Sequence, residues 1–226
     1  MLRTLSHDRL EEMVYHDTLD NGLQVFLLPK VGFRKTYATL TTRFGSIDHR
    51  FRVGDGDIVE LPDGIAHFLE HKMFEEEDGD VFYRFAQQGA SANAFTSFNR
   101  TAYLFSCTDR VKENLLTLLD FVQRPYFTDE NVEKEKGIIG QEIRMYEDDP
   151  DWQGYFGLLQ SLYVRHPVRI DIAGSVESIA QIDKERLYQC YETFYHPSNM
   201  ILFVVGNIEP DRVMEWVRVN QAAKRF

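Results

Sequence analysis

Residues 15–29 contain two strand-like runs separated by Asp20-Asn21-Gly22. An Asn-Gly pair between such runs is the strongest short-range signal of a tight antiparallel hairpin. A second pair of strand-like runs, within residues 91–107, has its turn near Phe98-Asn99-Arg100. Helical patterns stand before and after this second pair, and strand and helix patterns do not strictly alternate. The order of elements therefore predicts an α+β fold and disfavours a doubly wound parallel sheet.

No repeat, low-complexity tract or Pro/Gly/Ser-rich linker divides residues 1–226, which are predicted to form a single domain. Acidic residues outnumber basic ones by 36 to 25, and no strongly basic stretch occurs, so no nucleic-acid partner is expected. The longest strongly apolar run, residues 200–206, is too short to cross a bilayer, so no membrane partner is expected. The two cysteines form no C-x-x-C pair, which indicates a reducing, cytoplasmic location.

The stretch His67-Phe68-Leu69-Glu70-His71 lies in a predicted helix that starts at Pro62 and Asp63 and runs to about Phe74. Residues four apart share one face of a helix, and two imidazoles there can bind one zinc ion at about 2.0–2.1 Å. The glutamate before the second histidine borders that face, within reach of a metal-bound water. This is the inverted order of the His-Glu-x-x-His zinc motif. Two polar side chains sharing a helix face by chance remain the alternative.

A third ligand has to come from another element. If the helix continued, Glu75 would share the face of His67, but eight residues at about 1.5 Å each place it about 12 Å away. Ligands of one zinc ion lie only a few ångströms apart, so Glu75–Glu77 are predicted to be a solvated helix end.

A long charged helix that begins after Thr128 offers better candidates. Glu135 and Glu142 lie seven residues apart on one face, with the small and apolar residues 137–140 between them. Buried carboxylates are unfavourable unless they are paired or coordinated. Because isoleucines flank Glu142, we predict that it is functional. Glu130 and Glu133 are predicted to be exposed.

Three stretches in this order resemble the pitrilysin/insulinase metallopeptidases, a family that includes the mitochondrial processing peptidases. They are HFLEHKMF, GASANAFTSFNRTAYLF and VEKEKGIIGQEI. The resemblance is especially close to bacterial insulinase-like peptidases that occur as paired proteins, and it covers most of the chain. It implies one N-terminal catalytic half-domain, with a mixed, largely antiparallel sheet and helices packed on one side.

The resemblance also assigns roles to individual residues. It implies one zinc ion per chain, bound by His67, His71 and Glu142. Glu70 would be the general base, and Glu135 would be a second catalytic-site acid that supports the ligands.

The same resemblance makes one strand the binding site for a peptide substrate, which would add to the sheet as an extra strand. That strand consists of Asn93, Ala94, Phe95 and Thr96. An ordinary half-buried hairpin is the alternative for this segment.

The implied activity is that of a zinc-dependent endopeptidase acting on peptides or small unfolded proteins. In the family, a second half-domain closes over the first and supplies an arginine and a tyrosine, which we do not identify in residues 1–226. A second half-domain or a homologous partner subunit is therefore expected, as a homodimer or a heterodimer. Two alternatives remain: a non-catalytic peptide-binding or scaffolding subunit, and a structural zinc site. Structural zinc sites usually have four ligands, which disfavours the second alternative.

Overall fold

A seven-stranded mixed sheet forms the centre of the computed structural model, which describes residues 2–77 and 79–226. The strands, in chain order, are β1 (Arg3–His7), β2 (Glu12–Thr18), β3 (Gln24–Pro29), β4 (Thr36–Thr42), β5 (Arg50–Arg52), β6 (Ile58–Glu60), β7 (Glu75–Glu76), β8 (Gly79–Asp80), β9 (Ala90–Thr96), β10 (Thr101–Cys107) and β11 (Met200–Gly206). The central sheet has the order β1-β2-β3-β11-β4-β10-β9. Only the β3–β11 pair among these is parallel, so the sheet is largely antiparallel.

The helices are α1 (Ile65–Lys72), α2 (Val81–Gln87), α3 (Val111–Val122), α4 (Asp129–Glu147), α5 (Pro150–Leu162), α6 (Val176–Ile179), α7 (Lys184–Phe194) and α8 (Pro210–Ala222). Across residues 2–77 and 79–226, none of these helices combines the length and the apolar character needed to span a lipid bilayer.

One face of the central sheet is buried and the other is partly open. In β11, Leu202 and Val204 are fully buried, whereas their neighbour Ile201 is 42% exposed. This difference arises because successive side chains of a strand point to opposite faces. Helices α1, α2, α3 and α8 pack against the sheet and cover its buried face. The prediction of an α+β fold with helices packed on one side is confirmed.

Both hairpins predicted from turn residues are present. Strands β2 and β3 pair with Thr18 opposite Gln24, and the Asn21 side chain accepts a hydrogen bond from the Leu23 amide at 3.1 Å. Strands β9 and β10 pair with Thr96 opposite Thr101. A further, short hairpin pairs β5 with β6. Its strands are only three residues long, too short for the alternating pattern of four to eight residues that predicts a strand.

Helix α1 begins later than predicted. Pro62 and Asp63 precede it, and Gly64 caps it with φ of +87°, a left-handed conformation that interrupts any earlier helical turn. A Cβ added to Gly64 would clash with the carbonyl oxygen of Ala173, because the backbone at residues 173–174 packs directly against Gly64. The start of α1 is therefore fixed by a contact with a distant loop.

Replacing Gly64 by alanine should destabilise the protein by about 3 kcal/mol or more, since it combines left-handed strain with a backbone clash. Gly32 provides the matched control, because its φ of +85° is almost the same and no atom lies within 4 Å of its added Cβ. Gly32→Ala should cost only about 1 kcal/mol. Urea denaturation of both variants measures the two free energies of unfolding. Equal losses would contradict the role of the Ala173 contact.

Candidate metal centre

The two histidines of α1 share one face of that helix. Their ring centroids lie 4.5 Å apart with an interplanar angle of 66°. His67 is buried and His71 is half-buried, because α1 packs between the edge strand β9 and helix α4. Both imidazoles therefore point toward a neighbouring element from a protected position.

Helix α4 is that neighbour, and its start is fixed by local sequence. Thr128 caps it by accepting a hydrogen bond from the Asn131 amide, while the Asn131 side chain accepts one from the Thr128 amide. Buried apolar residues on one face then hold the helix against the core. Glu130 and Glu133 are exposed, as predicted, whereas Glu135 is buried.

Glu142 reaches both histidines from the far part of α4. Its Oε1 lies 3.6 Å from His67 Nε2, and its Oε2 lies 3.5 Å from His71 Nε2. One ligand atom from each of these three residues can be chosen so that all lie within 4.8 Å of one another. Ligands bonded to tetrahedral zinc at about 2.0–2.1 Å are about 3.3 Å apart, so the cluster is close to the required size.

The chemistry of this donor set suits zinc. Burial, together with the neighbouring His71, lowers the pKa of His67 to about 4, so its imidazole is neutral and able to bind a metal at neutral pH. Two imidazole nitrogens and one carboxylate oxygen are a common protein ligand set of catalytic zinc. The residues therefore fit a zinc ion with a fourth coordination position left for water.

Glu135 lies behind His71, on the side away from Glu142. Its Oε1 is 3.1 Å from His71 Nδ1, and its Oε2 is 3.5 Å from the ammonium group of Lys72. Burial opposes the charge of Glu135, but these two partners outweigh it and lower the pKa of the carboxyl. A histidine that donates Nδ1–H to a carboxylate has its Nε2 free for a metal. Glu135 is thus placed to orient His71.

Glu70 faces the edge strand and not the core. The Thr96 hydroxyl on β9 donates a hydrogen bond to Glu70 Oε2 at 3.1 Å. Burial raises the pKa of Glu70, an effect opposed by His71 and by the Thr96 hydrogen bond. A buried carboxylate with a raised pKa binds a proton more readily than an exposed one, which suits a group that accepts and then releases a proton.

One cavity of about 990 Å³ brings together every residue that the sequence and the resemblance single out. These residues are His67, Glu70, His71, Asn93, Ala94, Phe95, Thr96, Glu135 and Glu142. Strand β9 is the last strand of the central sheet and forms one wall. Along it, Asn93 and Phe95 are exposed, whereas Ala94 and Thr96 are half-buried.

The prediction of a solvated helix end at Glu75–Glu77 is wrong for Glu75 and Glu76. Helix α1 ends at Lys72, and Glu75 and Glu76 form the short strand β7. Glu75 is paired with the fully buried Lys72, and Glu76 with Arg84. Glu75 and Glu76 therefore supply counter-charges for two cations, whereas Glu77 is exposed, as predicted.

Two residues of the site were not predicted from the sequence. Lys72 gave no signal, because lysine is seldom buried. Tyr146 lies one helical turn after Glu142, and its hydroxyl donates to Glu142 Oε1 at 2.7 Å. The spacing of four residues on a predicted helix is a signal that could have identified Tyr146.

Comparison with known proteins assigns this chain to a family. Residues 50–174 match the profile of the insulinase family (peptidase family M16), and residues 181–224 match that of the M16 inactive domain. A Bacillus subtilis protein named zinc protease YmfH, which is uncharacterized, is 61% identical over all of this chain and 53% of its own length. The chain belongs to the insulinase family of peptidases.

Solved structures agree with this assignment. An M16-like peptidase from Alicyclobacillus acidocaldarius is 53% identical, with a TM-score of 0.93 over 98% of this chain and 52% of its own. Pitrilysin, at 18% identity and a TM-score of 0.80, shares the fold over 96% of this chain and 24% of its own. The predicted family resemblance is confirmed. The chain spans about half the length of the M16-like peptidase and of YmfH.

The ion pairs of Lys72 give a prediction about stability. Lys72→Met should destabilise the chelator-treated protein by about 3 kcal/mol or more, because it leaves the buried Glu135 without a cation. Lys136 is the matched control. It forms an ion pair with Glu133, three residues away in the sequence, but the Glu133 side chain is 75% exposed. Lys136→Met should therefore change the free energy of unfolding by about 1 kcal/mol or less. Chemical denaturation measures the free energy of unfolding of both variants. Similar losses of stability would contradict a special role of Lys72.

Proposed function

We propose that this chain is the catalytic half of a zinc-dependent endopeptidase that hydrolyses peptides or small unfolded proteins. In this proposal His67, His71 and Glu142 bind one zinc ion per chain. Glu70 is the general base, and Glu135 supports the site through His71. Family membership and the names of the relatives support the class of activity.

The observation that carries the proposal is the convergence of two distant helices on one point. Helix α1 supplies two imidazoles, and helix α4 supplies a carboxylate whose oxygens lie 3.5 and 3.6 Å from their nitrogens. Glu70 borders this cluster and faces the edge strand through Thr96. A structural zinc site needs neither an additional uncoordinated acid nor an adjacent strand edge, so this arrangement favours a catalytic centre.

The proposed reaction follows from the positions of these groups. When bound, zinc supplies Lewis acidity, which makes water nucleophilic at neutral pH and polarises a carbonyl group. Glu70 accepts the proton of the attacking water and passes it to the leaving amine. Glu135 holds the His71 Nδ1 proton and so keeps Nε2 directed at the centre. Burial of the cluster between α1, α4 and β9 strengthens each of these electrostatic interactions.

The proposed substrate site is the outer edge of β9. In the described part of the chain this strand is hydrogen-bonded on one side only, to β10, so its other edge can receive an extended peptide. The Ala94 amide donates to the side chain of Asn93 at 2.9 Å. An incoming peptide carbonyl would take over this donor. The small side chain of Ala94 allows close approach beside Glu70.

We also propose that the active enzyme contains a second half-domain or a homologous partner subunit, in a homodimer or a heterodimer. Support comes from YmfH and the M16-like peptidase, which are about twice as long as the region they share with this chain. A cavity of about 990 Å³ walled by one sheet edge and two helices leaves room for a closing partner.

A cytoplasmic location remains a prediction from the two cysteines, both of which are buried and free.

The variant Glu70→Gln separates metal binding from catalysis. It should retain about one zinc ion per chain, because Glu70 is not a ligand, and it should lose about 10²–10⁴-fold in peptide cleavage, because the base is absent. Elemental analysis measures the zinc. Cleavage of an unstructured fluorogenic peptide, with the chain alone and with the second half of YmfH added, measures turnover.

Glu77→Gln is the control for this experiment, since Glu77 is an exposed acid that lines the same cavity. It should retain both zinc and turnover. Loss of zinc from Glu70→Gln would make Glu70 a ligand and overturn its role. A wild-type chain that binds zinc and peptide but cleaves nothing, even with the second half, would favour a non-catalytic peptide-binding subunit.

The third ligand can be tested separately. Glu142→Gln removes the negative ligand and should weaken zinc binding by more than about 100-fold, beyond the 10–100-fold typical of groups that only support ligands. Competition with a chromophoric chelator measures the dissociation constant. Glu133→Gln, on an exposed position of the same helix, should leave it unchanged. Unaltered affinity in Glu142→Gln would point to Glu135 or Glu147 as the third ligand.

A further inference from the structure

Tyr146 contacts the carboxylate of Glu142 from within the same helix. Its hydroxyl donates a hydrogen bond of 2.7 Å to Glu142 Oε1. The same oxygen lies 3.6 Å from His67 Nε2, and the other carboxylate oxygen, Oε2, lies 3.5 Å from His71 Nε2. Each oxygen of Glu142 therefore faces one histidine, and Oε1 also accepts the hydrogen bond of the Tyr146 hydroxyl.

The face of the Tyr146 ring packs against another aromatic side chain. It stacks on Trp152 of helix α5, with centroids 4.5 Å apart and an interplanar angle of 17°. Trp152 in turn donates its indole N–H to Asp171 Oδ2 at 2.6 Å. Stacking of this kind stabilises the pair beyond simple burial and restricts where the phenol can go.

Asp171 fixes the far end of this chain of contacts. Its Oδ1 accepts the Ala173 amide at 2.9 Å, within the loop that packs on Gly64 at the start of α1. The contacts thus run from Glu142 on α4, through α5, to the loop that sets the position of the histidine helix. Tyr146, Trp152 and Ala173 all line the cavity of the site.

We propose that Tyr146 is a positioning residue for the metal: its hydrogen bond to Oε1 holds the Glu142 carboxylate in the orientation in which its two oxygens face the two histidines. Trp152 and Asp171 hold the Tyr146 ring in the orientation that this requires. The inference rests on the proposed function, in which Glu142 is a zinc ligand. Ligating carboxylates are generally hydrogen-bonded themselves, and loss of such a partner typically weakens metal affinity by 10–100-fold.

Tyr146→Phe tests the proposal, because it removes the hydroxyl and keeps the ring that stacks on Trp152. The zinc dissociation constant should rise by about 10-fold or more. Competition with a chromophoric chelator measures it without reference to activity. The visible absorption of the cobalt-substituted protein should also change in position or intensity, since the geometry of a ligand is altered.

Tyr155→Phe is the matched control. Tyr155 belongs to the neighbouring helix, α5, and is 48% exposed. This variant should retain the wild-type zinc affinity and the wild-type cobalt spectrum. Thermal unfolding of both metal-free variants checks that neither change acts through stability.

A second variant keeps the test decisive if Tyr146→Phe folds poorly. Trp152→Phe keeps an aromatic ring but loses the N–H that bonds Asp171, and it should weaken zinc binding by a smaller factor than Tyr146→Phe. Wild-type affinity in both variants, with wild-type protein binding one zinc ion, would overturn the positioning role alone. Failure of the wild-type protein to bind zinc would overturn the proposed function together with this inference.

Discussion

The structure depends on the pairing of buried charges where α1 meets α4. Lys72 is fully buried, and its ammonium group lies 3.5 Å from Glu135, which also contacts His71 Nδ1 at 3.1 Å. A buried carboxylate without such partners would destabilise the fold by several kcal/mol. The two helices therefore have one relative position in which these charges are compensated. That position also brings Glu142 to the two histidines, so stability and the geometry of the candidate centre have the same origin.

Elements specified by local chemistry could be predicted from the sequence. The β2–β3 hairpin follows from its Asn-Gly turn, and helix α4 follows from the cap at Thr128. The start of α1 could not be predicted, because Gly64 adopts its left-handed conformation against the backbone of Ala173, more than 100 residues further along the chain. The β5–β6 hairpin could not be predicted either, because its strands of three residues are too short to show a strand pattern. Local signals thus failed where a distant contact decides the conformation.

The candidate site also combines features set by local sequence with features set by tertiary packing. The spacing of His67 and His71 is local, and it could be interpreted directly as one helix face. The proximity of Glu142 to the two histidines depends on tertiary packing. In the sequence, only the resemblance to a known family assigns Glu142 the role of a ligand. The burial of Lys72 contradicts the usual behaviour of lysine, so no pattern could reveal it. The contact of Tyr146 was within reach of sequence reasoning, but its support by Trp152 depends on how α4 and α5 pack.

Within residues 2–77 and 79–226, the outer edge of β9 pairs with no other strand, which bears on the solubility of the protein. Unpaired strand edges are templates on which other chains can add, and proteins commonly protect them with charges, bulges or coverings. Here the amide of Ala94 is occupied by the Asn93 side chain of the same strand, so one donor of the edge is already satisfied. A side chain can move aside for a ligand more easily than a covering element. The hydrogen bond between Asn93 and Ala94 therefore leaves one donor fewer on this edge for pairing with another copy of the chain.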